Sequence, residues 1–391
     1  MAFFHGIEIT EVSDGIRPVE TVRSAVIGVV GTAPGASAAS FPLDTPVLLP
    51  GHPRLAADLG TTGTLPDAVE GIFSQAGAFV VVIRVAEGAD TAATLANIIG
   101  SEVAGTGIHA LPLAGSVTGV VPRILIAPGF TSARAGGTAN PAAAALQGVA
   151  AKLRAVAVID APNTTDAAAI TYAGDWGSAR LFVVDPHVLV FDQATATNVP
   201  RPASPRVAGL MARVDGENGF WYSPSNHIIN GIVGTDRPIE FNLSNPNNAA
   251  NLLNEKRVAV IVRREGWRLW GNRTTSADAQ WSFLPVRRTA DMVYESLEAA
   301  MLWAMARPFS RQLLLDVQET VQTYINTLVT RGALLGGKVW IDPSLNSGVE
   351  LMAGKLTVDL DLEPPAPLES LKIRAHRNNG YYQELVADMA A

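Results

Sequence analysis

Ala155-Val156-Ala157-Val158-Ile159-Asp160, continuing as Ala161-Pro162-Asn163-Thr164-Thr165, decides the fold class. Five apolar residues run without a polar break, a strand's length, and then meet a proline and a cluster of amide and hydroxyl side chains that turn the chain and cap a helix. A strand apolar on both faces is buried on both faces, which marks a mostly parallel sheet covered by helices. The helix that follows is expected over 164–176, with Asn163 or Thr164 as its cap and Asp166 favoured by the positive helix end.

The same alternation repeats outward from this unit. Strands are expected at 25–30, 79–85, 123–127, 181–184 and 258–262, and helices at 140–154, 204–217, 286–306 and 311–331. The fold class is therefore α/β, a mixed, mostly parallel sheet flanked by helices. The Gly-, Ala- and Thr-rich stretch 86–119 reads as a surface insertion, leaving 19–85 with 120–363 as the body. No tandem repeat is present.

The two ends differ from the body. Ile7-Glu8-Ile9-Thr10-Glu11-Val12 alternates with period two and then meets Ser13-Asp14-Gly15 and Pro18, so it reads as a strand on a tether. Leu356, Val358, Leu360 and Leu362 alternate likewise before Pro364-Pro365-Ala366-Pro367 interrupts. Two further strands are expected beyond the prolines, at 368–374 and 381–386, around the turn signal Asn378-Asn379-Gly380.

Composition excludes several functions. A net charge of −7 over 391 residues and the lack of a Lys/Arg block argue against a nucleic-acid partner. No apolar run approaches a bilayer span, so no membrane insertion is expected. The first residues lack the pattern of a secretory signal, which predicts synthesis in the cytoplasm. Zero cysteines exclude disulfides and thiolate chemistry. The cations divide into 24 Arg and 5 Lys. That bias fits either bidentate contacts between subunits or a GC-rich genome.

Chemistry-bearing motifs are scarce. The loops at 28–35, 127–129 and 160–165 carry small residues where doubly wound folds hold ligands, yet none has phosphate-loop spacing. The six histidines are far apart, and no metal-binding or nucleophile-elbow pattern occurs, so no cofactor and no catalytic residue is expected. Asp359 and Asp361 share one strand face, which reads as a solvated face. Gly266-Trp267-Arg268-Leu269-Trp270-Gly271-Asn272-Arg273-Thr274 concentrates interface-forming types, or else builds a core corner with cation–π contacts. An enzyme or binding protein using 127–129 and 160–165 is the alternative reading.

Several segments together resemble the sheath proteins of contractile tails, found in myophages and R-type pyocins. The residues are Phe4-His5-Gly6-Ile7, the run from Lys152 to Asn163, Phe220-Trp221-Tyr222-Ser223-Pro224-Ser225-Asn226, the run from Asn230 to Glu240, Asn251-Leu252-Leu253-Asn254, and Arg264 to Thr274. The likeness runs over nearly the whole length in one order, weakening over 86–119. It implies a structural subunit, not an enzyme, that polymerises in hexameric rings around an inner tube and contracts without nucleotide. Terminal arms would add strands to neighbouring subunits, through Phe4, His5, Ile7, Ile9 and Val12 at one end and Leu371, Ile373, Tyr381, Tyr382 and Leu385 at the other. Gly15, Pro18, Pro364, Pro365 and Pro367 would act as hinges. The helix at 311–331 would face the tube through Arg311, Gln322, Asn326, Thr330 and Arg331, an unusual set because its cations are confined to the two ends. Implied partners are further copies of the chain, the inner tube protein, and baseplate and tail terminator proteins. The implied location is a phage tail or a phage-tail-like particle assembled in a bacterial host.

Overall fold

A computed structural model describes residues 19–382. Its centre is an eight-stranded sheet built from β1 (Ile27–Thr32), β2 (Val47–Pro50), β3 (Phe79–Val85), β4 (Ile124–Ile126), β5 (Val156–Asp160), β6 (Leu181–Asp185), β10 (Val258–Arg263) and β11 (Trp267–Trp270). The spatial order is β11-β10-β6-β5-β4-β1-β3-β2. The six inner strands are parallel, and the edge strands β2 and β11 are antiparallel to their neighbours. All six body strands expected from the sequence lie in this parallel core. Alternate residues feed opposite faces: Val81, Ile83, Ala157 and Ile159 enter one core, while Val80, Val82, Val156 and Val158 enter the other.

Helices α2 (Thr91–Ile99), α4 (Pro141–Lys152), α5 (Asp166–Gly174) and α7 (Ala249–Glu255) supply the first core, and α1 (Leu65–Phe73) with α6 (Ser204–Glu217) the second. The stretch 86–119 is not a surface insertion. It forms α2, a 3-10 segment and the short α3 (Ala114–Thr118), and Ile98, Ile108, Leu111 and Ala114 are fully buried in the first core. Its small residues disguise a crossover layer between β3 and β4.

Two smaller sheets adjoin the main one. β7 (Val188–Asp192) lies between β8 (Thr197–Arg201) and β9 (Gly234–Thr235), and β12 (Gly336–Trp340) pairs antiparallel with β13 (Asp359–Glu363). A third core joins the second pair to α8 (Leu284–Ala300) and α9 (Arg311–Thr330) through Val293, Tyr324, Ile325, Leu328 and Val339. The remaining helix, α10 (Gly348–Met352), sits between β12 and β13 in the chain. The helix expected over 286–306 ends earlier, passing into a 3-10 turn at Met301–Ala304.

The arginine bias has an internal use. Asp291, Glu295 and Glu298 on α8, at helical i, i+4, i+7 spacing, pair with Arg180 before β6, Arg123 before β4 and Arg154 before β5. Arg288, on the same helix, reaches both oxygens of Asp215 at 2.8 and 2.6 Å. Planar two-point pairing of this kind is what arginine does and lysine does not. It binds α8, and with it the third core, to the strand starts of the main sheet.

Candidate assembly surfaces

The strand-end crevice is occupied by the chain itself. The carboxylate of Asp160 at the end of β5 accepts the backbone N–H of Ser204 at 2.8 Å and its hydroxyl at 2.5 Å, so it holds the N-terminus of α6. Burial pushes the Asp160 carboxyl above its ordinary range, against the pull of His187 and of Ser204. Thr131 Oγ1 accepts from Asp160 N, and Tyr172 Oη donates to Thr131 O. Thr64 Oγ1 accepts from Thr32 N at the end of β1, and a Cβ on Gly129 would meet Thr64 Cγ2 at 3.5 Å. Neither Asn163 nor Thr164 caps α5. The cap is Thr165, whose hydroxyl accepts from Ala168 N, while Asn163 sits at φ 57° and bonds Asp236 and His187 N. These loops are structural joints.

The tryptophan-rich stretch forms the edge strand β11 and the turn beyond it. Trp270 packs edge-on against Phe241 at 5.0 Å, and Arg263 lies over Trp267 at 5.7 Å. Arg273 reaches out of this corner to Glu369, beyond the Pro364–Pro367 run, with contacts of 2.7 to 3.1 Å, and lies over Phe283 at 4.9 Å. The hydrogen bonds to Glu369 hold the guanidinium above its ordinary range. Pro365, Pro367 and Leu368 wall an open groove of about 870 Å³ with Trp221, Tyr222 and Trp270.

Past Glu369 the chain leaves the body. Residues 368–378 carry no helix and no ladder, and Leu371 and Ile373 are 72% and 80% exposed. Tyr381 and Tyr382 are helical rather than extended, because Asn379-Gly380 turns the backbone without bringing back a partner strand. Leu385, together with Phe4, His5, Ile7, Ile9, Val12, Gly15 and Pro18, lies outside the described residues.

A strand added from elsewhere needs an open sheet edge, and most of the described edges are obstructed. β2 has four residues, is preceded by Pro46 and ends in Pro50. The outer side of β11 is covered by 226–229, through Asn226 N to Leu269 O, Leu269 N to His227 O and Ile229 N to Trp267 O. β8 contains Pro200, which lacks a donor, and β9 has two residues. The outer side of β12 faces α9. For β13, apart from Leu335 N, which donates to Glu363 O and prolongs the β12 side, no group outside β12 among the described residues bonds its backbone.

The tube-facing set divides in the structure. Arg311, Asn326, Thr330 and Arg331 are exposed along α9 and at its ends, with Arg331 5.5 Å over the Trp221 ring. Gln322 is instead turned toward β12, where its amide bonds main chain. Sequence reasoning missed this because β12 begins Gly336-Gly337-Lys338, a run with little strand signal.

Three family models match the chain in order: the tail sheath protein Gp18 domain III N-terminal region over 24–85, the phage tail sheath protein central domain over 104–275, and the phage tail sheath C-terminal domain over 276–377. A major tail sheath protein of a Pseudomonas aeruginosa (strain UCBPP-PA14) prophage is 39% identical over 99% of both chains. The chain belongs to the phage tail sheath protein family. It is a contractile-tail sheath subunit and a structural protein, not an enzyme. The tail sheath protein of Escherichia phage P2 is 34% identical to this sheath subunit, over 99% of this chain and 98% of its own. Its fold is shared with the contracted helical sheath of the anti-feeding prophage, at TM-score 0.70 and 22% identity over 95% of this chain and 99% of that one. The contracted sheath of the extracellular injection system PVC also matches, at TM-score 0.70 and 17% identity over 97% and 99%.

Proposed function

We propose that the subunit assembles into stacked hexameric rings around an inner tube, joined by strands that each copy donates to its neighbours. The observation that carries this reading is the match between the open β13 edge and the unpaired C-terminal arm. One face of β13 presents Asp359, Asp361 and Glu363, and the other places Leu360 and Leu362 against the third core. The arm alternates Lys372, Arg374 and His376 with Leu371, Ile373 and Ala375. Laid beside β13 from another copy, the arm sets bases opposite acids and apolar residues opposite leucines, the pairing that stabilises neighbouring strands. Glu8 and Thr10 alternate with Ile7 and Ile9, so the N-terminal segment suits the next place, beyond the basic arm.

Each donated main-chain hydrogen bond contributes roughly 1 kcal/mol net, so one arm holds weakly and a connected lattice holds firmly. The Pro364–Pro367 tether then lets bodies rotate while strands stay paired. Contraction is driven by bodies that meet over larger surfaces in the contracted state, and the extended state persists because it is kinetically held. On this reading Arg311, Asn326, Thr330 and Arg331 of α9 face the inner tube, and baseplate and terminator proteins bound the stack in a phage tail or an extracellular injection particle.

Deleting residues 1–17 tests the proposal. The truncated chain should keep a folded body by circular dichroism and lose ordered tubes in negative-stain micrographs. Long regular tubes from the truncated chain would refute donation by the N-terminal segment.

A further inference from the structure

The β12–β13 sheet has two edges, and donation works only if strands add to one of them. The outer edge of β12 is closed by side chains. Gln322 Oε1 accepts from Val339 N at 2.9 Å, and Gln322 Nε2 donates to Gly337 O at 3.2 Å. Gln318, one turn earlier on α9, donates from Nε2 to Val339 O at 3.2 Å. Asn326, one turn later, accepts from Gln322 Nε2 at 2.9 Å and fixes that amide.

The primary amide of Gln322 thus offers one C=O to the N–H of residue 339 and one N–H to the C=O of residue 337. Those two groups, either side of Lys338, are the pair that one residue of a parallel neighbour strand would engage. The glutamine stands in for a strand. The helix comes close enough because Gly337 has no side chain: a Cβ there would meet Ile325 Cγ2 at 2.6 Å. Hydrogen bonding α9 to the edge does more than pack it, since an apolar side chain at position 322 would leave Gly337 O and Val339 N open to any extended segment, and one at position 318 would leave Val339 O open.

We propose that Gln318 and Gln322 are specificity-determining residues of assembly, which deny the β12 edge to donated arms and so direct every arm to β13. The inference rests on the strand-donation reading above. It adds which residues decide the acceptor edge.

The chain has no cysteine, so engineered disulfides report the edge directly. One cysteine replaces Lys372, Arg374 or His376 in turn, and a second replaces either Lys338 on β12 or its cross-strand partner Asp361 on β13. Only adjacent strands bring the two within disulfide reach. In assembled wild-type background, dimers should form through Asp361→Cys and not through Lys338→Cys. In a Gln318→Leu, Gln322→Leu background, the Lys338→Cys product should rise about 150-fold relative to the Asp361→Cys product, as the loss of three blocking hydrogen bonds implies. Gln322→Leu alone provides the milder variant should the double substitution fail to fold, and should shift the ratio about thirty-fold through the loss of two blocking bonds. An unchanged ratio in a folded variant overturns the role of the glutamines while leaving strand donation standing. No cross-link at either strand in assembled wild type overturns donation to this sheet, and the inference with it.

Discussion

Arg273 and Glu369, 96 residues apart, are joined by three contacts of 2.7 to 3.1 Å, so the root of the C-terminal arm is tied to the corner that ends the main sheet. The pair lies just past the Pro364–Pro367 run, and beyond it residues 370–378 carry no helix and no ladder.

Arg273→Ala or Glu369→Gln should leave global stability within about 1 kcal/mol, because both partners are substantially solvated. Tryptic cleavage after Lys372 and Arg374 should nonetheless quicken in either variant, measured by mass spectrometry of the unassembled subunit. Protection equal to wild type would show that the linker is held by the groove and not by the ion pair.

Arg288 and Asp215 behave differently, since their side chains are 5% and 1% exposed. Asp215→Ala leaves a buried guanidinium without its carboxylate and should cost about 3–5 kcal/mol in urea unfolding. The double variant Arg288→Met, Asp215→Leu should recover most of that loss. If the single substitution lowers stability by less than 1 kcal/mol, the pair does not anchor α8 to α6.

Asp160 makes stability depend on pH. Its folded carboxyl keeps a proton to a higher pH than the ordinary value of 3.8, so the native state binds more protons just above that value. The sign is that stability falls as pH rises through this window and does not recover above it. Asp160→Asn retains an acceptor for Ser204 N and removes the titration, so its urea midpoint should decline less than wild type between pH 4 and pH 7. Parallel profiles for the two proteins would contradict the assignment.

Shortening the tether by removing residues 365–367 should permit assembly and obstruct contraction, because the bodies could no longer move away from the strands they have donated. Electron micrographs of triggered particles would show sheaths stalled at extended length. Fully contracted sheaths from the shortened chain would count against the hinge.

The sequence by itself determined the parallel core, because strands such as 156–160 and 181–185 are apolar on both faces and admit no other burial. It also raised the expectation of a strand at each end, through period-two alternation beside proline and glycine, but residues 1–18 lie outside the described residues and 368–378 carry no ladder. Residues 86–119 were misread because small residues pack tightly without announcing a helix face, and the burial of Ile98 and Leu111 depends on which strands lie beneath them. What only the tertiary structure decided is which edge is open. Edge availability depends on main-chain groups, which are the same in every residue, and on what happens to cover them: residues 226–229 over β11 and two glutamines over β12. Gln318 and Gln322 read as ordinary polar helix positions until α9 is placed along β12, because hydrogen bonding between a side chain and a distant backbone leaves no periodic trace in the sequence.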